Sequence, residues 1–454
     1  MAQVLIIGGG ISGLAAAWEL QQQGVAYTLL EGSDRLGGKI LTVRENGFII
    51  EGAADSFLVQ KPWAWQMCKE AGLTGRLVGT NDQQRNVYVY KGGKLHLFPK
   101  GMRLIVPTEP QSILDSALLS EEGKRQMLDE PNVPPRKSDG DESLGSFIRR
   151  RFGEEALDVF GEPLLAGIYV GNPDTLSMEA TFPQYLQLEK KYGSVTTGTL
   201  NTSVPPPNPD MPPTAFVTFQ NGMQELIEGL GEKLTGEIRL NTPVAFIEAD
   251  RTVHLQSGEK LKPDALIITT PAQIASQLLG DAMPELGKSL ATVKLISSAT
   301  VSFGFREEDV EREPDGFGFI VPRSEPTPLV AGTWNSTKIL GRAPKGYLLM
   351  RGFFGGHGRE QVLNKSDAEL IAMAKQELGK IMGFKGEPVI AKVFRWRNAN
   401  PQYEVGHLAK VARWRELCPQ GVYLTGAPYG GVGIPDCVRQ AREIAKRCQN
   451  ELTK

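Results

Sequence analysis

Four glycines and one acid set the first chemical expectation. Gly8, Gly9, Gly10 and Gly13 fall within VLIIGGGISGLAAAWEL, Val4 to Leu20, and Glu31 closes the apolar run Tyr27 to Leu30. Gly8, Gly10 and Gly13 fit a G-x-G-x-x-G spacing. The first permits a tight turn, the second lets backbone approach a pyrophosphate, and the third lets a helix pack on a strand. Glu31 stands at the offset expected of an acid that binds a ribose. A nucleotide diphosphate is the ligand this pattern selects, with the amides of Gly9, Gly10, Ile11 and Ser12 turned toward it.

The elements that must position these residues follow from composition. Val4 to Ile7 is a short apolar run suited to a central parallel strand, and Leu14 to Leu20 is rich in alanine and leucine and favours helix. The helix dipole and its free N–H groups then face the phosphates. Only Met1, Ala2 and Gln3 precede the strand, so no signal or transit peptide is expected.

Bulk properties narrow the function classes. The 454 residues exceed what one hydrophobic core organises, so several domains are expected. A net charge of −2 offers no global attraction for nucleic acid. Cys68, Cys418, Cys437 and Cys448 show neither C-x-x-C spacing nor disulfide density, which fits a reducing cytoplasm. His96, His254, His357 and His407 make no metal-ligand spacing, so no metal is expected. No apolar run approaches a spanning helix, which limits membrane contact to the periphery of the cytoplasmic face.

A second glycine segment follows Glu31. In GSDRLGGKILT, Arg35, Gly37, Gly38 and Thr42 match an R-x-G-G-x-x-x-T pattern, with Lys39 beside it, and Gly52 to Ser56 is a loop of small residues. The pattern resembles that of the amine-oxidase-like FAD superfamily. The resemblance implies FAD, with Arg35, Gly38 and Lys39 near it, Ala53, Ala54, Asp55 and Ser56 against the flavin ring, and Val244 at the adenine. It also implies Trp396 beside the flavin and Val432, Gly433 and Ile434 at the ribityl-phosphate end, where a glycine loop precedes the closing helix.

The rest of the chain alternates in texture. Arg85 to Pro99 reads as a hairpin about Gly92 and Gly93. Helical periodicity fills SILDSALLSEEGKRQML and ESLGSFIRRRFGEEALDVFGEPLLAGIY, where Arg149, Arg150 and Arg151 read as a solvated helix face. NTSVPPPNPDMPP reads as an extended surface loop, and IRLNTPVAFIEAD as a strand pair. LISSATVSFGF, GFGFIVP, LVAGTW and YLLMRGFF suggest a substantial sheet. The expected class is α/β: a discontinuous Rossmann-like FAD-binding domain (1–84, 214–272 and 418–454), a mixed-sheet substrate domain (85–110 and 273–417) and a mostly helical insertion (111–213).

With both ends read, the chain resembles the protoporphyrinogen and coproporphyrinogen oxidases of bacterial haem biosynthesis over nearly its whole length. GGGISGLAA, DRLGGK, LLAGIYVGNPDTLSMEATFPQ, GFGFIVP, RWRNANPQYEVGH and GVGIPDC carry the resemblance. It implies successive dehydrogenations of a porphyrinogen by FAD, with molecular oxygen as acceptor and peroxide released. Ile320, Val330 and Phe353 match macrocycle-sandwiching positions, and Gly167 a backbone carbonyl that assists proton movement. The arginine that protoporphyrinogen-processing relatives carry for a propionate corresponds here to Val87. Arg85, two residues earlier and on the same face of an extended strand, is the substitute, with Lys91 and Lys94 as further cations. This departure favours coproporphyrinogen. An amine oxidase, a carotenoid desaturase and a non-catalytic flavin or porphyrin carrier stay as alternatives. Transfer to a ferrochelatase-type partner and the oligomeric state stay open.

Overall fold

The structure, a computed structural model, describes residues 3–202, 211 and 213–453. Most of the proline-rich stretch between Asn201 and Pro213 lies outside the described residues. The first apolar run forms Gln3–Ile7, the middle strand of a five-stranded sheet in the order Glu237–Arg239, Ala26–Leu30, Gln3–Ile7, Ala265–Ile268, Val422–Leu424. All its pairings are parallel. Because side chains alternate across a strand, Val4, Ile6, Ala265 and Ile267 pack with the helices Ile11–Gln22 and Ile434–Leu452. Leu5, Ile7, Leu266 and Ile268 go to the other face, under the helices Ala272–Leu279, Pro284–Ala291 and His407–Leu417. Segments from three distant parts of the chain therefore build one layered unit.

IRLNTPVAFIEAD does not form a strand pair. Glu237–Arg239 joins the parallel sheet, whereas Val244–Ile247 pairs with Val253–Leu255 in a separate antiparallel sheet. Asn241 adopts a left-handed φ of 51° and Pro243 has no N–H, so the chain turns out of the first sheet between them.

A seven-stranded sheet runs Ile390–Pro401, Leu295–Arg306, Tyr347–Gly355, Leu329–Thr333, Gly316–Ile320, Asn86–Lys91, Lys94–Leu97. Gly92 and Gly93 both take positive φ, as a two-residue hairpin turn requires. One face of this sheet, with Val301, Phe303, Phe319, Met350 and Phe354, is buried under the helix Asp367–Met382. The other face carries Val89, Ile320, Ala331, Phe353, Thr300 and Phe394 in one cross-strand row.

The helical region is more broken than periodicity implies. Pro110–Leu114 and Glu121–Leu128 are separate helices, the second capped by Ser120. Leu144–Phe152 ends at Gly153, with φ of 93°, and a π-helical turn at Leu157–Gly161 precedes Glu162–Ala166. Of the three arginines, Arg149 alone is exposed, and Arg150 and Arg151 are not part of a solvated face. Arg151 is 1 % exposed and pairs with the fully buried Glu130. Glu130 also accepts from the Ser194 hydroxyl at 2.6 Å and from the amides of Val195 and Thr196. Arg150 reaches Glu142 at 2.6 Å and Glu189 at 2.5 Å, and Arg149 pairs with Glu154 and Asp174. Partners so distant in sequence leave no trace in the local charge pattern.

Candidate active site

The carboxyl ends of the parallel strands converge on one edge. Gly8 follows Ile7, Glu31 follows Leu30, Thr269 and Thr270 follow Ile268, and Thr425 and Gly426 follow Leu424. In an open α/β sheet this edge is where a ligand sits. Gly8 has φ of 109°. A Cβ on Gly13 would overlap the Gly8 carbonyl oxygen, whereas a Cβ on Gly10 meets nothing within 4 Å. The third glycine is thus spent on helix packing, and the second faces open space. The helix Ile11–Gln22 has no side-chain cap and no acid in its first turn, so the amides of Ile11, Ser12 and Gly13 are free for an anion.

Glu31 braces this turn as well as facing the edge. Its Oε2 accepts from the Gly9 amide at 2.7 Å, and its Oε1 accepts from the Ser33 amide and hydroxyl, both at 2.8 Å. The second glycine segment lies directly against the first: the Gly37 amide donates to the Gly9 carbonyl at 2.8 Å. Arg35 donates to the carbonyls of Gly38, Leu36 and Ile40, so it holds the loop's shape from within. Lys39 donates to the Ala399 carbonyl at 2.6 Å, tying the loop to the end of the strand Ile390–Pro401. Val244 is half-buried, two residues beyond Thr242, whose amide donates to the Glu31 carbonyl at 2.9 Å.

From the far end of the chain, Gly433 heads the helix Ile434–Leu452, which also lacks a side-chain cap but carries Asp436 in its first turn, paired with Lys61 at 2.6 Å. A Cβ built on Gly426 would lie 3.5 Å from the Ser12 hydroxyl, so the turn before this helix abuts the start of the first one. Thr270 and Thr425 carry buried hydroxyls without a partner among the described residues. Two uncapped helix starts, an open glycine face and orphaned hydroxyls fit the pyrophosphate and sugar portions of a dinucleotide.

The loop Gly52–Ser56 is held from the seven-stranded sheet. Trp396 Nε1 donates to the Gly52 carbonyl at 2.8 Å. Arg351 donates to the carbonyls of Ala53 at 2.8 Å and Glu51 at 3.2 Å, and to Asp55 at 3.0 Å. Lys338 reaches the same carboxylate at 2.9 Å, and the Ser56 hydroxyl donates to it at 2.8 Å. Burial alone would raise the Asp55 carboxyl; Lys338 and Arg351 outweigh it and hold the group well below the usual carboxylate range. Asp55 is therefore engaged by protein cations, and the Glu51, Gly52 and Ala53 carbonyls are taken by Arg351 and Trp396. Thr42 of the second glycine segment donates to Glu51 at 2.6 Å. Burial pushes Glu51 up to about 7 despite that bond and the nearby Arg342.

On the substrate side, Ile320 and Phe353 share the cross-strand row, and Val330 is the extra residue of a bulge between Leu329 and Ala331. Ile320 packs partly on the helical core, and the Arg351 guanidinium lies 4.6 Å from the centre of the Phe353 ring. Gly167 is exposed at the end of Glu162–Ala166, on the helical wall. Arg85 is exposed just before the strand Asn86–Lys91 and has no hydrogen bond or ion pair among the described residues. Lys91 is taken by the Leu118 carbonyl at 2.8 Å, and Lys94 is exposed.

Sequence reasoning missed Arg351, Lys338, Tyr403 and His407. A lone arginine inside the apolar run YLLMRGFF was the available signal for the first. His407 is 3 % exposed, and its ring nitrogen donates to the Pro428 carbonyl at 3.0 Å. Burial lowers it from 6.5 to about 4. The unfolded chain therefore binds this proton below pH 6.5 while the folded chain resists it until about 4. His407 contributes its full stability above pH 6.5, and that contribution is lost as the pH falls toward 4, by roughly 3 kcal/mol in total. Denaturant unfolding of wild type and His407→Gln across this range should give a smaller pH slope for the variant. Parallel slopes would rule the effect out.

The fold and cleft define a flavin-dependent oxidoreductase. The family model for flavin-containing amine oxidoreductases matches residues 11–449, and the chain belongs to that family, with FAD as its cofactor. Within it, the chain is 36 % identical to the coproporphyrinogen III oxidase of Bacillus subtilis, across 97 % of this chain and 96 % of that one. It is 32 % identical to the coproporphyrinogen III oxidase of Staphylococcus aureus, across 99 % of both. A crystal structure from Exiguobacterium sp. 255-15 superposes with a TM-score of 0.87 at 34 % identity, covering 100 % of this chain and 99 % of that one.

Proposed function

We propose that the chain oxidises coproporphyrinogen III to coproporphyrin III by three successive two-electron dehydrogenations, with protoporphyrinogen IX as the competing substrate. Full-length similarity to named coproporphyrinogen III oxidases supports this. The observation that carries it is the apolar row through Ile320, Ala331 and Phe353, set on the same sheet that grips the Gly52–Ser56 loop. FAD held there would supply a hydride acceptor for a saturated bridging carbon of the macrocycle, with molecular oxygen as the final acceptor and peroxide as its two-electron product. The protein's own part is to hold and enclose. Ile320, Val330 and Phe353 offer a flat apolar bed for the macrocycle, and the Gly167 carbonyl on the helical wall accepts a hydrogen bond from a pyrrole N–H, orienting it as its proton passes to solvent. Exposed Arg85 waits at the rim for a propionate.

The same proposal keeps the three-part division of the chain, with the helices Ala272–Leu279, Pro284–Ala291 and His407–Leu417 assigned to the cofactor unit, on whose sheet they pack. It places the protein in the cytoplasm, where a ferrochelatase-type partner would take the product; no described helix is long and apolar enough to cross a membrane. Anaerobic mixing with coproporphyrinogen III is expected to bleach the flavin as porphyrin fluorescence appears. Flavin bleaching by amines with ammonia release, and none by either porphyrinogen, would replace this function with amine oxidation. Arg85→Ala is expected to raise KM for coproporphyrinogen several-fold with little change in kcat, since an exposed charge pair contributes about 0.2–1 kcal/mol. An unchanged KM would remove Arg85 from the site.

A further inference from the structure

The stretch RWRNANPQYEVGH runs from the last strand of the seven-stranded sheet into the helix His407–Leu417. At its centre Tyr403 is 1 % exposed. Its hydroxyl donates to the Ala427 carbonyl and accepts from the Gly431 amide, at 2.8 Å for the latter. One oxygen thus closes the turn that leads from the strand Val422–Leu424 to the uncapped helix at Ile434. Gly431 has φ of 129°, a conformation that leaves the turn little rigidity of its own.

The tyrosine is itself fixed from two sides. Its ring stacks on His407, centroids 4.3 Å apart, and packs tilted against Tyr169 of the helical wall at 5.9 Å. The backbone about it is sewn to the same wall. The Ser177 amide donates to the Tyr403 carbonyl at 2.7 Å, the Gln402 side chain donates to the Tyr169 carbonyl at 2.9 Å, and the Gly406 amide donates to Asp141 at 3.0 Å. Segment 402–407 therefore connects the substrate-side wall to the cofactor-side turn. Burial keeps the hydroxyl protonated, so it serves as donor and acceptor together.

We propose that Tyr403 is a positioning residue for FAD: its hydroxyl pins the Ala427–Gly431 turn so that the amides of Val432, Gly433 and Ile434 present a preorganised anion site beside the Ser12 end of the first helix. This rests on the assignment of that turn to FAD, and it adds a dependence of cofactor retention on the helical wall. Without the hydroxyl, the Gly431 amide loses the one side-chain acceptor it has among the described residues, and the turn samples other orientations before each binding event.

The experiment compares Tyr403→Phe with Tyr423→Phe, each purified as holoenzyme and then stripped of its flavin. Tyr423 is also buried and donates to Glu451 at 2.7 Å, but at the far end of the last helix. Both variants lose one buried hydroxyl and are expected to lose similar thermal stability as apoproteins. FAD affinity, from flavin fluorescence on titrating apoprotein, is expected to fall roughly tenfold in Tyr403→Phe, matching the loss of one or two hydrogen bonds, and to stay unchanged in Tyr423→Phe. Equal FAD affinity in the two variants would overturn the proposal. Weakened FAD binding in Tyr403→Phe supports it even if wild-type holoenzyme proves inactive on porphyrinogens, because the titration needs no substrate.

Discussion

Gly13→Ala is expected to purify without flavin. The position lies inside the first helix, where alanine is ordinarily the better residue by about 1 kcal/mol. Here the added methyl meets the carbonyl oxygen of Gly8, a backbone atom that cannot rotate away. Gly8 is itself locked at φ of 109° between the strand end and Thr269, whose hydroxyl bonds the Gly8 carbonyl at 3.0 Å. Relief must come from sliding the helix Ile11–Gln22 off the sheet, which withdraws the Ile11 and Ser12 amides from the phosphate position. Overpacking of this kind costs about 1–3 kcal/mol, and 3 kcal/mol is roughly a hundredfold in affinity. Gly10→Ala separates the two uses of glycine. Its Cβ meets no protein atom within 4 Å and its φ is −73°, so the apoprotein should unfold as wild type does. A drop in FAD affinity there reports the ligand's own contact with the methyl. Should Gly13→Ala retain FAD, or Gly10→Ala destabilise the apoprotein, the division of labour between the two glycines is wrong.

That contrast also marks what the sequence makes legible. Glycines at strand ends and apolar runs act through backbone geometry and local burial, which spacing encodes directly. The strands at Val4, Tyr27 and Ala265 and the hairpin at Gly92 were therefore readable, and so was FAD. Arg150 and Arg151 were not, because their acids stand at Glu130, Glu142 and Glu189, brought near only by tertiary packing. Val244–Ile247 was misassigned to its neighbour for the converse reason: adjacency in sequence implied pairing, and a left-handed Asn241 before Pro243 sent the two strands to different sheets. In the site, the small residues at Gly52–Ser56 announced a close backbone approach. The groups that hold that backbone come from residues some three hundred positions away.

The largest cost to stability is expected at one of those groups. Arg351 is 3 % exposed and Asp55 7 %, and the guanidinium serves two carbonyls and a carboxylate at once. Arg351→Met removes three donors. It leaves Asp55 ionised with Lys338 alone, and it leaves the Glu51 and Ala53 carbonyls without their side-chain donor. Breaking a buried pair from one side costs about 3–5 kcal/mol; the surviving Lys338 contact puts this case near the lower end. Arg351→Lys does not rescue it, since a single ammonium cannot span the fork that reaches both carbonyls and Asp55. If the loop so released lies against the flavin ring, as the family resemblance implies, the flavin absorbance bands should shift along with the unfolding free energy. Asp55→Asn on the Arg351→Met background should recover part of the loss by removing the stranded charge, giving a coupling between the two positions of 0.5–3 kcal/mol, on the order found for residues in one network. Strictly additive losses in urea unfolding would mean that Arg351 and Asp55 act apart, and that the loop is held by Trp396 and the sheet edge instead.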